Sequence, residues 1–214
     1  ESSISPTYNQ LGCNAKRAGK LDFALYFFKK AEEKAKPFDI QGAYPSIIYN
    51  KSMLFRITNQ LDSAIIMLKE VLRCDFELKN FKMISGTLNE LGNCMIANDE
   101  TLEGFKYYVQ SYQVASHLKD TLMMGGLSIN MASQLLNLKL KKESKKMALN
   151  SLYWFELAQN NRGMSYAYNL LAQFSNDHLD ESLKYRKLAL TYGLKSNDVS
   201  HLASIYEGLG FHYY

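Results

Sequence analysis

A chain of 214 residues, 47% hydrophobic and 21% charged, has the composition of an ordinary globular protein, and its net charge of +4 is too small to argue for nucleic acid. No apolar run reaches the roughly 18 residues that a membrane-spanning helix needs. Cys13, Cys74 and Cys94 are odd in number and lack CxxC spacing, which argues against a disulfide framework and a zinc site and predicts small core or groove thiols.

With only Pro6, Pro37 and Pro45, and no alternating apolar pattern between turn residues, the whole chain reads as helical. The predicted helices fall into pairs. Residues 5–40 place Gly12, preceded by Leu11, in a first helix, then Leu21-Asp22, Ala24, Phe28 and Ala31 in a second. Residues 41–78 repeat the pattern with Ser52, Leu61-Asp62, Ala64, Leu68 and Val71, and residues 79–118 with Gly92, Gly104, Tyr108 and Ser111. Residues 119–159 carry Ala132, Ser144, Ala148 and Ser151, and the basic run Lys139–Lys146 is their turn and helix start. Residues 160–195 carry Ala172, Leu179-Asp180, Ser182, Arg186 and Ala189, and a partial unit, 196–214, ends the chain around Leu209-Gly210.

The first small residue advances by 40 from Gly12 to Ser52, Gly92, Ala132 and Ala172, then by 38 to Gly210. A glycine inside a helix costs about 1 kcal/mol relative to alanine, so Gly92 and Gly104 are read as points where two helices approach closely. Asp22, Asp62 and Asp180 are placed to cap the second helices. Ser182 falls two residues early, which predicts a shortened turn inside the fifth pair.

These columns resemble the tetratricopeptide repeat, in the long-period variety seen in kinesin light chains and bacterial peptide-sensing regulators. The usual period is about 34 residues; here it is 38–40. Lys51 stands where the family has Leu, and Arg186 where it has an aromatic. The resemblance implies an all-α fold, a right-handed α-α superhelix of five helix pairs plus a final unpaired helix, as a single solenoid domain over residues 1–214. It also implies that the first helix of each pair lines a concave groove.

Catalytic and cofactor signatures are not found. The chain has no GxxxxGK[ST], HExxH or GxSxG, and Gly208-Leu-Gly210 is only half of a dinucleotide fingerprint. His117, His178, His201 and His212 lack metal-ligand spacing, and acid pairs such as Glu32-Glu33 and Asp99-Glu100 read as solvated surface. The expectation is a non-enzymatic protein with no cofactor and no metal.

What the sequence does offer is a row of side-chain amides. Asn9, Asn50, Asn89, Asn130 and Asn169 precede the small column, within a one-residue wobble, and Cys13, Met53, Asn93, Ser133 and Gln173 follow it. Asn carries both a donor and an acceptor, so Asn9, Asn50, Asn89, Asn93, Asn130, Asn169 and Gln173 are the candidate contacts to a peptide backbone. The same amides also suit bonds between neighbouring helices. Tyr49, Tyr166, Tyr168 and Phe211 lie nearby as pockets or as packing. The inward columns read as neutral. The carboxylate clamp of chaperone-binding relatives is incomplete, because Gly86 and Glu90 replace its basic residues in the third unit.

The expected function is recognition of a protein segment in the groove, as the sensor or interaction region of a bacterial regulatory protein. The alternative is self-association or intramolecular docking through the terminal helix around Leu209–Tyr214, giving a homo-oligomer. The chain starts at Glu1, without Met or an apolar signal core, so it reads as a piece of a longer protein. Cytoplasm and periplasm both fit its cysteine usage.

Overall fold

The computed structural model describes residues 4–35, 43–175, 179–196 and 198–210. Among these, eleven α-helices and no strand are present. They are α1 (Ile4–Arg17), α2 (Leu21–Ala35), α3 (Ala43–Ile57), α4 (Leu61–Glu77), α5 (Phe81–Ala97), α6 (Thr101–His117), α7 (Thr121–Asn137), α8 (Lys141–Leu157), α9 (Asn161–Phe174), α10 (Leu179–Ser196) and α11 (Val199–Gly210). The chain divides into two compact units, Glu1–Val114 and Ala115–Tyr214. In the first, α1 packs on α2 and α3 on α4, while the odd-numbered helices α1, α3 and α5 touch in succession. In the second, α7 packs on α8 and α9 on α10, and α7 touches α9.

The small columns are the seams of these pairs. A Cβ on Gly92 would lie 2.6 Å from two ring carbons of Tyr108 and 3.0 Å from the Gly104 carbonyl, and one on Gly104 would lie 2.8 Å from the Gly92 carbonyl. Where the second column is serine, its hydroxyl spans the same gap. Ser144 Oγ donates to the Ala132 carbonyl and Ser182 Oγ to that of Ala172. A second seam joins the start of a first helix to the end of its partner: Ser5 Oγ donates to Ala31 O at 2.9 Å, Ser111 Oγ to Ser85 O at 2.7 Å, and Ser165 Oγ to Ala189 O at 2.6 Å. These buried hydroxyls are all satisfied, so they cost little to desolvate.

The turns are more regular than the sequence discloses. Gly19, Asn59, Lys79, Asp99, Lys119, Lys139 and Gln159 all adopt positive φ, between 51° and 72°, at multiples of a 20-residue step. The amide that follows each reaches back five residues, as in Asn80 N to Asp75 O at 2.9 Å and Asn160 N to Phe155 O at 2.9 Å, which is the Schellman closure of a helix end. Only the first of the seven is glycine. An L-residue there costs roughly 1–2 kcal/mol, against about 0.5–1 kcal/mol of extra chain entropy for glycine. Gln159→Gly is therefore expected to stabilise the fold by about 0.5–1 kcal/mol, read as a higher urea midpoint at unchanged slope.

Several expectations are corrected. Asp22, Asp62 and Asp180 lie in the first turns of α2, α4 and α10 rather than at the cap, and there their charge complements the positive end of the helix dipole; the α4 cap is Gln60, with no side-chain bond. Side-chain caps belong instead to first helices: Asn80 accepts from Met83 N, Asp120 from Met123 N and Asn160 from Gly163 N. In the fifth pair it is the first helix that is shortened: α9 ends at Phe174, two past Ala172. By contrast, α5 ends at Ala97, five past Gly92. Gly210 meets nothing within 4 Å; the close-packed glycine of α11 is Gly208, against the Arg186 guanidinium. That seat accounts for Arg186 standing in an aromatic slot, and burial lowers its pKa. Lys51 is 9% exposed and bonds Glu32 at 2.7 Å, so Glu32 is not a solvated acid. Leu209 packs with Ala189 and Ile205, while Phe211, His212 and Tyr214 lie outside the described residues, as does His178.

Candidate functional site

In the first unit the amides fall on α1, α3 and α5. Asn50 Nδ2 donates to Asn9 Oδ1 at 3.1 Å, joining α3 to α1. This contact needs the one-residue wobble, since it sets the two amides face to face. It leaves one acceptor, Asn50 Oδ1, beside one set of donors, Asn9 Nδ2; both residues are half-buried. Asn89 is half-buried on α5. Asn93 is held within the protein: it donates to Glu90 at 3.2 Å and accepts from the Tyr108 hydroxyl at 2.6 Å.

This face is not neutral, contrary to the reading of its columns. Glu90, 7% exposed, takes Arg56 Nε at 3.1 Å, and Lys16 Nζ reaches Met53 Sδ at 3.7 Å. A sulfur is a weak acceptor, and Lys16 makes no salt bridge to a carboxylate among the described residues. Burial lowers the pKa of Lys16 and raises those of Tyr49 and Tyr108. The interlocked chain Arg56–Glu90–Asn93–Tyr108 ties α3, α5 and α6 together. The sequence reading missed it because Arg56 and Glu90 lie 34 residues apart and Arg56 lies outside the amide columns.

In the second unit Asn130 is half-buried on α7, Gln173 is exposed near the end of α9, and Asn169 Oδ1 is buried without a hydrogen-bond donor among the described residues. Asn169 is thus not presented to a partner through that atom. Beside Asn130, an open cleft of about 260 Å³ between α7 and α9 is lined by Gly126, Ile129, Phe155, Arg162 and Tyr166. The Tyr166 ring stacks on His201 at 3.7 Å between centroids, and its hydroxyl donates to Asp198 at 3.2 Å. Asp198 also takes Arg162 Nε at 2.7 Å, and the guanidinium lies 5.8 Å from the Tyr166 centroid. Burial lowers the pKa of His201, which keeps it neutral against the tyrosine. Tyr168, in contrast, is packing, stacked on Tyr192 at 5.7 Å and on Tyr185 at 6.2 Å. The thiols of Cys74 and Cys94 are buried and free, and burial pushes Cys94 up to about 11. No metal-ligating cluster occurs among the described residues, and none of their helices is long and apolar enough to cross a membrane.

No protein-family model matches the chain, and no curated protein aligns with it. Solved structures do. A STAND signal-transduction ATPase with a tetratricopeptide repeat sensor from Pyrococcus horikoshii superposes with a TM-score of 0.76 at 16% identity, over 97% of this chain and 33% of that one. The apo form of RapI superposes at 0.78 and 14% identity, over 94% and 74%. A protein of the kinesin light chain type from Podosopora anserina, with nearly identical TPR-like repeats, superposes at 0.67 and 10% identity, over 90% and 95%. This chain spans a third of the length of the STAND protein. At such identities the likeness concerns the fold, and the fold is a tetratricopeptide-like solenoid of paired helices.

Proposed function

We propose that the chain is a non-enzymatic binding module that recognises a segment of another protein across the faces of its first helices. The observation that carries this is the Asn9–Asn50 pair, which presents a free donor and a free acceptor side by side. A peptide unit needs that combination, and it is offered without regard to the peptide's sequence. Asn89 and Asn130 are half-buried on first helices of their own units. Asn93 serves by positioning Tyr108 and Glu90. The repeat sensor in the STAND neighbour supports placing the module within a larger regulatory protein.

The test is a selection of phage-displayed random 12-residue peptides on the whole chain, followed by titration of an enriched peptide. Two hydrogen bonds of about 0.5–1.5 kcal/mol each predict that Asn9→Ala with Asn50→Ala weakens that peptide about tenfold, with the thermal midpoint little moved. Unaltered affinity in the double variant overturns the reading.

A further inference from the structure

Gly125 and Gly126 are adjacent in the middle of α7, yet they serve different purposes. Gly125 is needed for packing, since a Cβ there would lie 2.8 Å from the Phe155 ring. Gly126 is not: a Cβ there would meet nothing within 4 Å. A mid-helix glycine that relieves no contact is a cost without a structural return, and the space that it leaves belongs to the cleft between α7 and α9.

We propose that this cleft, within the second unit, is the seat of one aromatic side chain of a partner protein's segment, which deepens the segment-binding reading above and rests on it. The size fits, since a cavity of about 150 Å³ already accepts a benzene ring and this cleft holds about 260 Å³. The lining fits as well. Phe155 and Tyr166 supply rings, which favour offset or edge contacts with a third ring, and Ile129 supplies an aliphatic wall. The Arg162 guanidinium, paired with Asp198, lies beside that aromatic site and offers its plane to the face of a ring, while the pair leaves no net charge to draw in a lysine or arginine. The walls are fixed in advance. His201 and Asp198 hold Tyr166, Asp198 holds Arg162, and Gly163 seats Phe155 so closely that no Cβ fits between them. Little order is therefore lost on binding.

The probes are N-acetyl-phenylalaninamide, N-acetyl-leucinamide and N-acetyl-lysinamide at millimolar concentration, followed through amide chemical shifts of the whole chain. The phenylalanine probe is expected to move Gly126, Ile129, Asn130 and Gly163 saturably, the leucine probe at least threefold more weakly, and the lysine probe not at all. Gly126→Leu fills the cleft and is expected to abolish these shifts while raising the thermal midpoint, because leucine is the better helix former and its Cβ meets nothing within 4 Å. Gly126→Ala gives the same gain with a partial loss. Shifts that persist in Gly126→Leu, or that gather elsewhere, overturn the seat. Failure is separable from that of the broader reading. If Asn9 and Asn50 matter to a selected peptide and the phenylalanine probe does not seat in the cleft, the aromatic seat is wrong and segment binding stands. If the phenylalanine probe seats in the cleft while the amides are irrelevant to every peptide, the seat stands and the backbone reading fails.

Discussion

Gly92→Leu is expected to cost about 3 kcal/mol, at the upper end of what overpacking a well-filled seam costs. The new Cβ would press on a tyrosine ring that cannot swing aside, since the Tyr108 hydroxyl is tied to Asn93 at 2.6 Å. The other obstacle is the Gly104 carbonyl, which moves only if α6 moves. Urea unfolding gives the number. A loss under 1 kcal/mol would mean that α5 and α6 slide apart cheaply, and that the small column is not what sets their spacing.

Asp75→Asn is expected to stabilise the protein at neutral pH by an amount on the order of 1–2 kcal/mol, the scale of one poorly compensated buried polar group. Asp75 is 1% exposed, and its carboxylate accepts one side-chain bond, from the Thr87 hydroxyl at 3.3 Å. Burial raises its pKa above the ordinary 3.8, and the Thr87 bond only partly offsets this. A group whose folded pKa is raised contributes its full stability below the unfolded pKa and loses it as pH rises through the folded one. The gap between variant and parent should thus be near zero below pH of about 4 and widen towards neutrality. Thermal melts across pH 3 to 8 measure it, and a gap independent of pH would show that charge burial is not the cause.

The fold was legible because Gly, Ala and Ser recur at positions where no larger side chain fits, and steric exclusion leaves a trace in single residues. Gly92 with Gly104, and Ala24 on the first pair, are examples that the packing bears out. The site was legible only in part. Asn9 and Asn50 were visible as a column, but their mutual bond depends on neighbouring helices and on a one-residue offset that a single column does not encode. Arg56 with Glu90, and Arg162 with Asp198, join residues 34 and 36 apart, and charged residues at such separations look solvated until the helices are stacked. Gly125-Gly126 was a signal within reach, since two adjacent glycines amid apolar residues ask for two reasons. Capping misled for a plain cause: an aspartate near a helix start serves the dipole two residues past the cap as readily as it serves the cap.

The turns have one more consequence. Three residues such as 98–100 separate α5 from α6, and four Cα steps at about 3.3–3.6 Å each let a link of that size reach at most roughly 13–14 Å. Packed helix axes lie about 8–10 Å apart, so such a link leaves only a few ångströms to spare. It has little slack to give a protease a bight of chain, and little to let the two helices part before their ends unwind. Pulling on the chain would then be felt first by helical hydrogen bonds at Ala97 and Thr101, so that yielding begins as fraying rather than as separation of intact rods.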